Sequence, residues 1–139
     1  GLDQLIPSLK QPVLGICLGM QLMCSHSEEG DTPCLGIFDE PVKKFRVPED
    51  SPQNFKIPHM GWNKLHAVHP PLFNSELEDE FVYFVHSFYV ATGPDTAAKS
   101  HYIHPFSAAL QKDNFFATQF HPEKSSKAGE QILKNFLAI

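Results

Sequence analysis

The stretch VLGICLGMQ, residues 13 to 21, constrains the fold more than any other segment of the chain. Val13, Leu14 and Ile16 form a continuous apolar run, as expected of a strand buried on both faces in a parallel sheet covered by helices. Nothing after Gly19 breaks a helix, so LGMQLMCSH reads as a short helix beyond a tight turn. A strand, a sharp turn and a helix put the residue at the turn, Cys17, on an exposed elbow. Gly15 and Gly19 on either side allow the tight backbone and the close approach of a substrate. Taken alone, the same pattern also suits a structural cysteine, since free cysteine is among the most buried residue types.

The rest of the chain narrows the classes. With 139 residues, 42% hydrophobic and 19% charged, the chain can bury a core of its own, and we expect one domain over residues 1 to 139. A net charge of -5 without a basic run argues against nucleic acid or an anionic membrane as partner. No apolar stretch reaches spanning length, and GLDQLIPSLK lacks the plan of a secretory signal, so a cytoplasmic location is expected. Cys17, Cys24 and Cys34 are odd in number and contain no C-x-x-C pair, which favours reduced thiols over a disulfide framework or a thiolate zinc site. His66 with His69, and His101 with His104, have helical ligand spacing, but Pro70 and Pro105 discourage a helix there. Neither a metal nor a cofactor is expected.

Along the chain, LDQLIPSLK reads as the end of a helix before the first strand. Gly36 to Phe45 reads as a strand, and residues 47 to 54 as a polar, proline-bearing loop. Residues 81 to 90, FVYFVHSFYV, are aromatic and β-branched, a strand interrupted at His86 and Ser87. Residues 106 to 122 read as a hairpin turning at Lys112 to Asn114. At the end of the chain, Ala128, Ile132, Leu133, Phe136 and Leu137 share one stripe of a helix that Ser125 or Ser126 is placed to cap. Short strands with helices near both ends predict an α/β fold.

A second motif gives the cysteine partners. In FHPEKS, residues 120 to 125, His121 can exchange a proton with a thiol, and Glu123 can fix the imidazole tautomer. One residue apart in extended backbone, the two side chains project to the same side. A helix N-terminus at Cys17 is expected to lower the thiol pKa, and the Leu18 amide N–H is placed to meet an oxyanion. The pair also has a plainer interpretation, a histidine ending a strand and a glutamate beginning a helix.

GICLGMQ together with QFHPEKS resembles the nucleophile and His/Glu motifs of the class I glutamine amidotransferases, the triad family of cysteine glutaminases. PHMGWN (residues 58 to 63) and YFVHSFYV (83 to 90) are similar to the glutaminase subunits of imidazole glycerol phosphate synthase, an enzyme of histidine biosynthesis. The likeness runs in order along nearly all of the chain. It implies an α/β, flavodoxin-like mixed sheet with flanking helices. It also implies that Cys17 attacks the side-chain amide of L-glutamine, that His121 donates to the departing ammonia, and that water then hydrolyses the thioester. Gln21, Glu29 and the backbone around His86, Ser87 and Phe88 are implied to hold the substrate's amino acid end. Trp62, Asn63, Tyr83 and Lys124 match positions that meet a (β/α)8-barrel cyclase subunit, the acceptor of the ammonia. The alternatives are another class I amidotransferase or related cysteine hydrolase, and a non-catalytic module that docks on a barrel partner.

The resemblance further implies family strands before residue 1, N-terminal strands missing from this sequence, with a P-G-V-G type stretch whose backbone forms the other half of the oxyanion hole. No such stretch occurs here. Lacking one donor, the transition state is expected to lose about 3 kcal/mol of stabilisation, on the order of a hundredfold in rate. An edge left open beside the strand bearing Cys17 invites pairing with another copy. The expectation is therefore that these 139 residues alone are weak or inactive and self-associate or swap strands.

Overall fold

The computed structural model describes all 139 residues. Helix α1 (Leu2–Ser8) leads to strand β1 (Val13–Ile16) and then, after Cys17, to the single-turn helix α2 (Leu18–Leu22). Two short strands, β2 (His26–Ser27) and β3 (Thr32–Pro33), precede β4 (Pro41–Lys44) and β5 (His59–Lys64). Strands β6 (Phe81–His86) and β7 (Phe88–Val90) follow, then β8 (Thr96–Tyr102), β9 (His104–Lys112) and β10 (Phe115–Thr118), and helix α3 (Ser126–Leu137) closes the chain.

These strands form a mixed sheet in the order β1-β10-β9-β8, a second in the order β3-β2-β4-β7, and the two-stranded ribbon β5-β6. In the first sheet β1 runs parallel to β10, with Ile16 opposite Thr118, and the other pairs are antiparallel. Strand β10 is buried throughout because its alternating side chains serve two cores. Phe116 packs with Phe84, Phe106, Phe120 and Ile132 on the α3 side, while Phe115 and Ala117 pack with Met20, Met23, Val42 and Val90 on the α2 side. The two motifs of the sequence thus end side by side, on adjacent parallel strands.

The hairpin turn expected at Lys112 to Asn114 is present, with Asp113 at φ 54°. Asn114 Nδ2 donates to Leu9 O and Gln11 O, both at 2.8 Å, which ties the turn to the segment entering β1. Other expectations are corrected. Strand β1 is only half-buried apart from Gly15, because it forms the sheet's edge. The strand expected from Gly36 to Phe45 covers only Pro41–Lys44. The preceding residues instead wrap the end of α2, where the N–H groups of Leu35, Gly36 and Phe38 donate to the carbonyls of Leu22, Cys24 and Met23. On α3 the stripe stops short of Leu137, which is 81% exposed. Ser125 precedes α3 without a capping side-chain bond; its hydroxyl donates to His121 O and accepts from Tyr83 N–H. No helix is long and apolar enough to cross a membrane.

Candidate active site

Cys17 occupies the turn between β1 and α2 at φ 55°, ψ −105°, a left-handed conformation rarely adopted by residues other than glycine. Its N–H donates to Thr118 O at 2.7 Å, so the elbow is fastened to β10. Gly15 permits the sharp return of the chain. A Cβ there would lie 2.9 Å from the Gly19 backbone and 3.0 Å from Met23 Sδ. Gly19 differs, since a Cβ on it would meet nothing within 4 Å.

The sulfur faces a cavity of about 320 Å³. Cys17, Leu18, Gln21 and Glu29 form one side of it, and Val85 to Phe88 with Pro58 form the other. Gln21, Glu29, His86, Ser87 and Phe88, which the resemblance implies for the substrate's amino acid end, all line the cavity that Cys17 opens onto. Exposed Glu29 has its N–H bonded to Ser27 Oγ at 3.1 Å. Gln21 is 6% exposed, and its Nε2 donates to Phe88 O at 3.3 Å and to Gln119 Oε1 at 3.1 Å. Gln119 is fully buried at the end of β10, and its own Nε2 points to Cys17 Sγ at 3.9 Å. The sequence reading passed over Gln119 although it opens the QFHPEKS motif.

The thiol pKa is raised above its ordinary value, chiefly by burial. Hydrogen bonds from the Leu18 N–H and from Gln119 oppose the rise, as does Lys124, while the Glu123 charge adds to it. This corrects the expected lowering. A single-turn helix supplies a weak dipole, and desolvation of the thiolate outweighs it.

His121 and Glu123 meet at 3.0 Å through Nδ1 and Oε2. They do so across a 3₁₀ turn over Pro122–Lys124 rather than in extended backbone. The other ring nitrogen is left for chemistry, and no hydrogen bond joins His121 to Cys17. The turn is held from two sides, by His121 N–H donating to Tyr83 O at 3.0 Å and by the Ser125 hydroxyl.

His86 presents backbone to the cavity and turns its ring inward. Its Nδ1–H donates to Phe88 O at 2.7 Å, which leaves Nε2 to accept from His59 Nδ1–H at 2.9 Å. Burial pushes the pKa of His59 down to about 4 and that of His86 to about 3. Both rings are neutral near pH 7. Asn63 Nδ2 completes the row, 3.4 Å from His59 Nε2 and 2.9 Å from His101 O.

Asn63 therefore points inward, whereas Trp62, its neighbour in β5, is 53% exposed and is not core packing. Trp62 lies opposite Tyr83 with ring centroids 5.9 Å apart, and Met60, 62% exposed, continues the patch. Lys124 is exposed on the turn that Tyr83 holds. Among the histidines weighed as ligands, His66 turns to Asp79 at 3.2 Å, beside Glu78, whose carboxylate already accepts the N–H groups of Ala67 and Val68.

Residues 2–139 match the family described as Glutamine amidotransferase class-I. Imidazole glycerol phosphate synthase subunit HisH of Bacteroides thetaiotaomicron is 64% identical over 139 residues, which cover 100% of this chain and 69% of that protein. The protein of the same description from Pasteurella multocida is 49% identical over 138 residues, covering 99% and 67% of the two chains. A solved structure described simply as a glutamine amidotransferase shares the fold at a TM-score of 0.65 and 14% identity, over 99% of this chain and 65% of that one.

Proposed function

The chain belongs to the class I glutamine amidotransferase family, and from that premise we propose that it is the glutaminase part of an imidazole glycerol phosphate synthase. In this reading it is a single domain of the cytoplasm, where its three cysteines stay reduced. It hydrolyses L-glutamine and passes ammonia to a cyclase subunit of (β/α)8-barrel fold, serving histidine biosynthesis.

The observation that carries the reading is the cavity in front of Cys17, entered by the sulfur at one strand end, with the His121–Glu123 pair beyond the end of the neighbouring strand. Because burial keeps the thiol protonated, His121 first acts as base. It takes the Sγ proton as sulfur attacks the amide carbon. The same imidazole returns that proton to nitrogen as the C–N bond breaks and ammonia leaves. Water, deprotonated by His121, then attacks the thioester; the C–S bond breaks and glutamate is released. Glu123 holds the ring by its Nδ1–H throughout, and the Leu18 N–H serves the developing oxyanion. Gln21, Glu29 and the backbone of His86, Ser87 and Phe88 hold the amino acid end. Trp62, Tyr83 and Lys124 form the docking face, an exposed tryptophan packed on a half-buried tyrosine with an exposed cation on the adjoining turn. Asn63 supports that face from within.

The test is glutamate release from glutamine, with and without the cyclase subunit and its nucleotide ligand, using Cys17→Ala as control. Turnover that needs Cys17 and rises with the partner is expected. Turnover that survives Cys17→Ala would remove the nucleophile from this reading, and a rate indifferent to the partner would remove the coupling.

A further inference from the structure

Gln119 is the one fully buried amide side chain that reaches the reacting sulfur, and its orientation is determined step by step. The Phe88 carbonyl can only accept, and it is fixed in β7 by the His86 Nδ1–H at 2.7 Å. The end of Gln21 facing that carbonyl at 3.3 Å must therefore be its NH₂. The same NH₂ donates to Gln119 at 3.1 Å, so the atom of Gln119 it meets must be the oxygen. A flipped Gln119 would set two NH₂ groups against each other. Its NH₂ end is consequently turned to Cys17 Sγ at 3.9 Å, and the residue's 0% exposure leaves no water to compete for it.

We propose that Gln119 is a further catalytic residue, whose side-chain amide donates a hydrogen bond that stabilises the Cys17 thiolate over the thiol. Gln21 and the Phe88 carbonyl hold the donor end toward the sulfur. The proposal rests on Cys17 being the nucleophile. A thiol sulfur is a poor acceptor and a thiolate a good one, so a fixed N–H donor favours the charged form, and more strongly in a buried site than in water. An amide carries no net charge. It offsets part of the desolvation penalty without adding the buried cation that a lysine would bring. The sulfur carries negative charge twice, once as it gives up its proton in the attack and once as leaving group when water opens the thioester, and the same donor serves both. Gln21 thereby has two duties, lining the substrate cavity and orienting the amide behind the nucleophile.

The experiment is the pH dependence of iodoacetamide alkylation at Cys17, followed by mass spectrometry in the full chain, with Cys34 as internal reference. Removing a hydrogen bond to a charged acceptor in Gln119→Leu is expected to raise the alkylation midpoint by about one pH unit, a roughly tenfold slower reaction at neutral pH. Gln119→Glu, which sets a carboxylate beside the sulfur, is expected to raise it further. A merely structural Gln119 predicts lower stability with an unchanged midpoint, and that result in a folded variant overturns the proposal. Should both variants fail to fold, the unsubstituted chain labelled with ¹⁵N at glutamine side chains decides. The Gln119 amide proton resonances should follow the Cys17 titration and be flat in Cys17→Ala; no movement in the unsubstituted chain overturns the proposal. Neither measurement uses glutaminase activity, so loss of the nucleophile assignment and loss of the Gln119 assignment are separate results.

Discussion

The buried imidazoles show how single residues tie stability to pH. His59 lies stacked 4.1 Å from the Tyr102 ring and donates to His86, and both rings are uncharged because burial penalises the cation. In the unfolded chain a histidine takes up its proton near pH 6.5, whereas in the fold these two wait until about 4 and about 3. Between those limits the unfolded state binds more protons, so stability falls as pH falls, by about 1.4 kcal/mol per pH unit for each imidazole. Above pH 6.5 the two contribute no slope. Glu28 and Glu78, held below the usual carboxylate range mainly by backbone N–H groups, add their own loss only in more acid solution. Urea unfolding at pH 7.5, 6 and 5 should show a plateau followed by a steep decline. Equal stability at pH 7.5 and pH 5 would mean that the pair is not buried neutral.

At the scale of elements, α3 sets the position of the turn over Pro122–Lys124 through one close contact. A Cβ added to Gly129 would lie 1.9 Å from Pro122 O, far inside van der Waals contact with backbone. Helix α3 therefore presses on the turn that carries His121 and Glu123, and Gly129→Ala must push the two apart. We expect a loss of about 1 to 3 kcal/mol in urea unfolding. Glutaminase kcat should fall with little change in KM, because the turn lies outside the cavity lining proposed to hold the amino acid end. Unaltered stability and kcat would show that the turn does not depend on this packing. Features of this kind divide by range. The elbow at Cys17, the turn at Asp113 and the stripe of α3 were legible because each is fixed by residues within a few positions. Strand β8, TAAKSHY, lacks β-branched density and was not foreseen; its extended state comes from pairing with β9 and from the bridge of His66 to Lys99. Gln119 was passed over because its orientation depends on Gln21, 98 positions away. The direction of the Cys17 pKa shift was misread for a similar reason, since the burial that dominates it is built by strands distant in sequence.

For the molecule as a whole, the open side of β1 is the feature with most consequence. Val13 and Cys17 donate to β10, so by alternation Leu14 and Ile16 turn their backbone groups to the sheet's unpaired edge. The helices that precede and follow β1 in the chain bear exposed leucines: Leu2 and Leu5 on α1, 69% and 53% exposed, and Leu18 and Leu22 on α2, 57% and 48%. Unpaired strand groups next to apolar side chains are a template for another strand. A second copy offers the same edge, and pairing the two satisfies both. Light scattering on purified chain should show a mass that climbs above 15.6 kDa as concentration rises, and Leu2→Glu with Leu5→Glu should shift that climb to higher concentration. Because β1 ends at Cys17, a strand docked on it brings its backbone beside the sulfur and narrows access to the cavity. Alkylation of Cys17 should therefore slow in step with association. A chain that remains at 15.6 kDa at every concentration would show that the edge is closed by its own twist and short length, and the accessibility of Cys17 would then be independent of concentration.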